Sequence, residues 1–272
     1  MGRMSSPLGS FLRARREALT PAEVGLEPEQ GRRVRGLRRE EVALRAGISR
    51  QYYLRLEQGR DRQPSREVIE ALADALLLGD EALPFMVRLV ELQALRDPES
   101  TADDVARERV AHIVELLGKQ PVLVADTNFD IVAANPALDA LTEGEWSSGN
   151  NVIESMFGHR MQGQFGDWER AARKITATLR FRGNPFDRRF RRVVTGLERS
   201  SPEFRWMWSR HDVGTLTSGQ YHHRVAGEVD LDLGYQIFVV PSSPRWVLTT
   251  FDAKGGSASS RALDQLGLGR VG

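Results

Sequence analysis

The side chains with the clearest chemical potential in this sequence lie on one short predicted helix that begins near residue 50. Arg50, Gln51 and Arg55 fall on the outer face of that helix, whereas Tyr53 and Leu56, three residues apart, face inward. Arginine and glutamine near the N-terminus of an exposed helix carry paired donors and acceptors that match guanine and adenine edges in the DNA major groove. The pattern therefore predicts a surface that reads base sequence.

This helix is the second of a pair, within residues 37–60, whose pattern is typical of a helix-turn-helix. Gly47 supplies a left-handed turn residue, and the hydroxyl of Ser49 is placed to cap the second helix. An ordinary helical hairpin with a solvated basic face is the alternative. Residues 32–66, however, hold eleven arginines against four acidic residues, which favours contact with phosphate. We predict DNA contacts from six side chains: Arg39, Ser49, Arg50, Gln51, Arg55 and Arg60.

Composition limits the classes of protein to which the chain can belong. A length of 272 residues with 40% hydrophobic content favours two domains with ordinary cores. Cysteine is absent, which excludes disulfides and thiolate metal sites. No apolar run has the length of a signal peptide or a membrane span, so a cytoplasmic location without a membrane partner is expected. Residues 1–96 carry 17 basic and 14 acidic side chains against 21 and 23 in the remainder, so the basic character lies at the front.

Further helices are predicted at 8–19, 65–79 and 80–95, and together with the pair they make a five-helix domain over residues 1–96. The connection at 20–36 contains two prolines and three glycines and predicts an extended loop. Its arginines, Arg32, Arg33 and Arg35, either form an arm against the DNA backbone or lie in a solvated loop. Proline and acidic residues then predict a linker at 97–104.

The pattern of the second domain, residues 105–252, mixes helices and strands. A helix at 105–117 precedes short strands at 122–125 and 131–134, and Asn135 with Pro136 opens another helix. Two later helices carry aromatic residues, and His211 falls on the second of them at helical spacing from Phe204 and Trp208. The domain ends in a half-exposed strand at 228–235 and two better covered strands at 237–240 and 246–251. Residues 253–272 are predicted to be disordered.

An enzyme is the rival class of function. Ser209, His211 and Asp212 contain the residue types of a catalytic triad, and His222 with His223 those of a metal site. Serine and histidine two residues apart on a helix point to different sides, however, and adjacent residues on a strand face opposite ways. The GxSxG, HExxH and Walker motifs are absent from the sequence. We therefore expect neither catalysis nor a bound metal or other cofactor.

Several stretches resemble known families. REEVALRAGISRQYYLRLEQGR is similar to the Cro/C1-type (XRE) helix-turn-helix, and LRREEVA with YYLRLEQGRDRQPS resembles the MmyB-like regulators, as do DWERAARKITATLR and SPEFRWMWSRHDV. The strand–turn–strand opening before Asn135 resembles a PAS-like sensor fold. The resemblance implies an α+β protein, in which an all-α, lambda-repressor-like DNA-binding domain precedes a PAS-like α+β domain. It also implies that Arg16 and Glu57 bridge the first and third helices.

The resemblance further implies a small hydrophobic, fatty-acid-like effector in the second domain. We predict that five side chains line its site: Trp168, Phe204, Trp208, His211 and Arg224. The sequence as a whole indicates a transcription regulator that binds a double-stranded DNA operator as a homodimer, under the control of that ligand. The alternative is a helical protein-interaction module with a C-terminal dimerisation domain and no effector.

Overall fold

The computed structural model describes residues 6–27, 32, 34–61, 63–94, 104–225, 229–240, 243 and 245–268. Contacts within the chain group it into two compact units, residues 1–98 with 209–214 and residues 99–208 with 215–272. We call them the helical unit and the sheet unit. The predicted linker at 97–104 lies outside the described residues except for its last residue, where a helix begins.

The helical unit contains five α-helices and one short 3₁₀ helix within its described residues. They are α1 (Pro7–Ala18), the 3₁₀ helix (Ala22–Val24), α2 (Arg39–Arg45), α3 (Arg50–Glu57), α4 (Arg66–Ala75) and α5 (Ala82–Ala94). The five predicted helices are confirmed. The 3₁₀ helix lies in the segment that the sequence predicts to be an extended loop.

Serine hydroxyls cap three of these helices. Ser6, Ser49 and Ser65 each accept a hydrogen bond from the backbone N–H three residues later, which satisfies a donor that the first turn of a helix leaves unpaired. Between α2 and α3, Gly47 adopts a φ of +64°, a conformation that side chains other than glycine rarely take. The predicted turn and the predicted cap of α3 are confirmed.

The sheet unit contains eight helices and five strands within its described residues. They are α6 (Asp104–Leu116), β1 (Val122–Ala125), β2 (Ile131–Ala134), α7 (Pro136–Leu141), α8 (Val152–Met156), α9 (His159–Gln164), α10 (Trp168–Arg182), α11 (Arg188–Ser200), α12 (Pro202–Ser209), β3 (Ser218–Val225), β4 (Val229–Val239), β5 (Val247–Asp252) and α13 (Ala258–Leu268). The predicted strands β1 and β2 are confirmed. The side chain of Asn135 caps α7 by accepting from the backbone N–H of Leu138, as expected.

The five strands form one antiparallel sheet in the order β2-β1-β5-β4-β3. Leu123 pairs with Thr249, and Thr249 pairs in turn with Ile237. Directly opposed residues in neighbouring strands share a face, so these three side chains lie together on the face that we call the inner face. The arrangement confirms the predicted fold, an α+β chain with a helical domain followed by a PAS-like domain.

Apolar residues cover both faces of the sheet. On the outer face, Val110 and Val114 of α6 pack against Val122, Val124 and Trp246. The larger core lies on the inner face, where helices pack over strands β1, β5, β4 and β3. A sheet covered on the inner face by several helices leaves room for a cavity between the layers.

Two predictions about the end of the sheet unit are wrong. Residues 258–268, predicted to be disordered, form α13, because Leu263 is buried in the core of the unit. The strand at 237–240, predicted to be well covered, continues β4 and leaves Phe238 and Val239 with 55% and 61% of their surface exposed. Apolar letters alone do not show which strand lacks a covering helix, so burial was overestimated there.

The predicted helix that carries His211 is also shorter than expected. Helix α12 ends at Ser209, and His211 adopts a left-handed φ of +53°. The helical spacing from Phe204 and Trp208 to His211 therefore does not place the three side chains on one face. His211 groups with the helical unit.

Candidate nucleic-acid interface and ligand cavity

Helix α3 has one buried face and one polar face. Tyr53 and Leu56 are completely buried, whereas Arg50, Gln51 and Arg55 are exposed. The exposed side chains offer guanidinium and amide donors on the first turns of a capped helix. That is the arrangement with which a recognition helix presents hydrogen-bonding groups to base edges.

Two of the exposed arginines have weak contacts that a partner could replace. Arg50 Nε lies 3.6 Å from a carboxylate oxygen of Glu40, and both side chains are more than half exposed. The guanidinium of Arg55 lies over the ring of Tyr52, 5.3 Å from its centroid. Exposed ion pairs contribute about 1 kcal/mol or less, so either arginine can exchange its contact for a base or a phosphate.

A buried ion pair holds α3 in place. Arg16 Nε donates to Glu57 Oε1 at 2.7 Å, and its Nη1 donates to the carbonyl oxygen of Leu37 at 2.9 Å. The side chains of Arg16 and Glu57 are 8% and 3% exposed. The predicted bridge between the first and third helices is confirmed. It ties the C-terminal end of α3 to α1, which fixes the direction of the recognition helix.

Arg39 is part of the same cluster. Its Nε donates to Glu57 Oε2 at 2.6 Å, while 40% of its side chain remains exposed. The sequence indicated a contact to DNA, and the structure shows that Arg39 also anchors the first residue of α2 to the end of α3. Ser49, which caps α3, and Arg60, which follows it, are both exposed on the surface of the unit.

The loop arginines have different environments. Arg32 forms a two-pronged contact with the carboxylate of Glu41, with both N–O distances 2.6 Å, and donates to the carbonyl oxygen of Gly36 at 2.7 Å. This contact holds the pKa of Glu41 below its usual value. Because Arg32 is committed to the protein, an arm role for it is wrong. Arg35 is exposed, and Arg33 lies outside the described residues.

The sheet unit contains a cavity of about 1300 Å³ on the inner face of its sheet. The three paired residues Leu123, Thr249 and Ile237 belong to its lining. Helix α10 forms another side, with four residues spaced four apart: Arg170, Lys174, Thr178 and Arg182. Apolar side chains on the sheet and polar side chains along one helix are what a pocket for a largely apolar molecule requires.

Aromatic residues make up much of the apolar lining, among them Trp146, Phe165, Tyr221, Tyr235 and Phe251. Burial raises the pKa of Tyr221, so its hydroxyl remains protonated. Aromatic side chains offer large contact areas, and the hydroxyl and indole groups add hydrogen-bonding capacity.

The predicted ligand residues lie elsewhere. Phe204 is fully buried in the core, stacked on Trp208 with ring centroids 5.5 Å apart. Arg180 covers Trp208 at 3.8 Å from its ring centroid. Trp168 packs edge to face with Phe157 and donates from Nε1 to the carbonyl oxygen of Met156 at 2.7 Å. These three aromatic residues are core residues, and none of them lines the cavity.

The two polar predictions also fail at this cavity. Arg224 lies on the exposed face of β3 and pairs with Asp230 at 2.9 Å. Its neighbours in sequence, His223 and Val225, are buried, so the alternation of the strand turns Arg224 outward. His211 lies beyond α12 and is not part of the lining.

Only part of the true lining left a signal in the sequence. The alternation of Val247, Thr249 and Phe251 in β5 indicates one shared face, and the four-residue spacing in α10 indicates one helical stripe. Trp146 and Phe165, however, fall in the segment 143–166, which has little periodicity. Long-range packing alone brings them to the sheet.

Two searches over the described part of the chain gave negative findings. None of its helices combines the length and the apolar character needed to span a bilayer. Within the same residues, histidine and acidic side chains do not assemble into a group that could hold a metal ion.

Comparison with known protein families identifies both parts of the chain. Residues 106–266 match the MmyB-like transcription regulator ligand binding domain. Residues 7–85 match a helix-turn-helix domain. Comparison with curated proteins gave no significant match. Both matching families are regulator domains, and neither is an enzyme family.

Proposed function

The chain belongs to the MmyB-like transcription regulators, and from that premise we propose that a small, largely apolar effector in the cavity modulates its affinity for a specific DNA operator. The observation that carries this proposal is the cavity of about 1300 Å³ in the unit that matches a ligand-binding domain. Its volume and its aromatic and aliphatic lining suit a molecule of lipid or drug size. The family resemblance makes a fatty-acid-like compound the first candidate class.

We assign base reading to Arg50 and Gln51 of α3, because both are exposed on the first turn of the capped helix. Ser49, Arg55 and Arg60 are assigned to the phosphate backbone that flanks the groove. Arg39 joins them with the exposed part of its side chain, while its contact with Glu57 fixes α2 against α3. Base contacts specify sequence, whereas phosphate contacts position the protein on the duplex.

We also propose that the regulator acts as a homodimer. A single helical module covers few base pairs, and two modules on half-sites about one helical turn apart multiply specificity. An effector changes operator affinity only if it binds more tightly to one arrangement of the two readers than to the other. The size of the effect therefore equals the difference in effector affinity between the DNA-bound and free protein.

The test begins with the operator and the effector. Footprinting of the purified protein on DNA upstream of its own coding sequence defines the operator, and mass spectrometry of an organic-solvent extract identifies any ligand that co-purifies. Titration of that ligand, with operator binding followed by fluorescence anisotropy, should shift the operator Kd. A ligand that binds the cavity yet changes the Kd by less than about twofold would refute effector control.

Salt dependence separates this function from a helical protein-interaction module. Operator binding should weaken steeply as ionic strength rises, because cations are released from the phosphates on binding. Binding to an apolar protein surface would respond little. An operator Kd that is constant between about 50 mM and 200 mM salt would favour the interaction module.

A further inference from the structure

Four aromatic rings form a closed circuit in the lining of the cavity. The ring centroids of Trp146 and Phe165 are 6.1 Å apart, and those of Phe165 and Tyr221, which stack, are 5.0 Å apart. Phe251 closes the circuit, at 6.1 Å from Tyr221 and 5.7 Å from Trp146. All four residues belong to the lining. We call this group the aromatic circuit.

Two polar atoms of the aromatic circuit lack a partner among the described residues. They are Nε1 of Trp146 and the hydroxyl oxygen of Tyr221, and both atoms are buried. Trp146 as a whole is 4% exposed. An indole N–H can only donate a hydrogen bond, and the protonated phenol hydroxyl of Tyr221 can donate as well. Buried donors normally have an acceptor, so these two point to a group that the cavity receives.

The charged residues of the lining are arranged differently. Arg170, Lys174 and Lys254 are exposed, so their charges lie in water. A carboxylate placed against the aromatic circuit would lose its hydration without gaining a buried cation, which is costly. An uncharged carbonyl oxygen loses much less hydration and has two lone pairs with which to accept from buried donors.

We infer that the cavity selects an apolar molecule with an uncharged oxygen acceptor, such as a ketone, and that Trp146 and Tyr221 donate hydrogen bonds to that oxygen. This inference rests on the proposed function, because it assigns the chemical class of the effector in the same cavity. It differs from the fatty-acid-like class, whose carboxylate would belong beside the exposed cations of α10.

The experiment compares three probes of nearly equal shape on the full chain by isothermal titration calorimetry. The probes are 2-acetylnaphthalene, 2-isopropenylnaphthalene, in which a methylene group replaces the carbonyl oxygen, and 2-naphthoate. The ketone should bind about fivefold more tightly than the hydrocarbon, the usual effect of one net hydrogen bond. Its carbonyl stretching band, read by infrared spectroscopy with a ¹³C label, should fall in frequency on binding.

Three variants test the donors. Trp146→Phe and Tyr221→Phe should each reduce the preference for the ketone over the hydrocarbon to about twofold or less and raise the carbonyl frequency. Tyr235→Phe is the matched control, because it removes a phenol hydroxyl from the same cavity but not one of the two unpartnered donors. It should keep the preference. If Trp146→Phe fails to fold by circular dichroism, Tyr221→Phe decides the matter alone, since it leaves the ring in place.

Several outcomes would overturn the inference. Equal affinity for ketone and hydrocarbon would do so, as would tightest binding of 2-naphthoate, a preference that survives both donor variants, or failure of all three probes to bind. The proposed function is judged independently, by whether the co-purified ligand shifts the operator Kd. Effector control can therefore stand when the assignment of a neutral oxygen acceptor falls.

Discussion

Glu57 accepts a hydrogen bond from Arg16 Nε at 2.7 Å, and both side chains are almost wholly buried. The same carboxylate receives Nε of Arg39 through its other oxygen at 2.6 Å. One acidic side chain at the end of α3 therefore joins the recognition helix to both preceding helices. The orientation of the exposed DNA-reading face depends on this buried contact.

Replacement of Glu57 with alanine should destabilise the helical unit by about 3 kcal/mol or more, because it leaves the buried Arg16 charge without a partner. Urea unfolding followed by circular dichroism measures the change. Glu70→Ala is the control, since Glu70 pairs with Arg66 on the surface, and should cost about 0.5 kcal/mol or less. Equal effects of the two substitutions would show that the Glu57 pair is not energetically buried.

Gly9→Ala should also destabilise the helical unit. An added Cβ at this position would lie 2.4 Å from the carbonyl oxygen of Glu57 and 2.7 Å from that of Leu56, so α1 and α3 would have to separate. We expect a loss of about 1–3 kcal/mol and weaker operator binding. At Gly79, by contrast, an added Cβ meets no atom within 4 Å. Gly79→Ala should leave the thermal midpoint unchanged or raise it slightly, and an equal drop in both variants would argue against a tight α1–α3 contact.

Arg50→Ala and Gln51→Ala should each weaken specific operator binding by about 1–3 kcal/mol and relax the preferred base at one position. Binding to unrelated DNA should change much less. Competitive anisotropy with single-base operator variants measures both quantities. Arg13→Ala on α1 is the control, because Arg13 is exposed and already paired with Glu17. An unchanged base preference after Arg50→Ala would remove Arg50 from the reading surface.

His223 should make the stability of the sheet unit depend on pH. Its Nε2 lies 2.9 Å from the carbonyl oxygen of Leu141, so this nitrogen carries the proton in the neutral ring. Burial lowers the pKa of His223 in the folded protein, whereas an unfolded histidine titrates near 6.5. Below that pH the unfolded chain binds a proton that the folded chain does not. The free energy of unfolding should therefore fall with decreasing pH, by up to about 1.4 kcal/mol per unit.

The measurement is urea unfolding between pH 7.5 and 5.0. His223→Gln should flatten the decline, while His222→Gln, a change at the exposed neighbour on the same strand, should not. A slope that is identical in wild type and His223→Gln would mean that other groups govern the acid response of the unit.

Local features of the chain could be predicted because they depend on neighbouring residues. The cap at Ser49, the turn at Gly47 and the start of α7 at Asn135 each need only a few adjacent positions to form. Strands β1 and β2 and the five helices of the helical unit follow from short-range periodicity in the same way. The pairing of Arg16 with Glu57 came from family resemblance, since no local pattern joins residues 41 positions apart.

The ligand site could not be predicted in this way. Aromatic residues at helical spacing, such as Phe204 and Trp208, looked like pocket residues, yet they fill the core because their helix packs inward. The aromatic circuit instead joins Trp146, from a segment with little pattern, to Phe165, Tyr221 and Phe251. Side chains that far apart meet only after the sheet has formed.

The sequence by itself therefore determined which residues form helices and strands and which face of α3 is polar, because backbone propensity, capping and periodicity act over one or two turns. The tertiary structure alone decided which apolar side chains line a cavity and which fill the core, and which arginines are committed to the protein. Arg32 and Arg50 look alike in the sequence, but only the first is held by a partly buried carboxylate. That difference depends on the packing of distant segments, which sets the burial of each charge and hence the energy of its contacts.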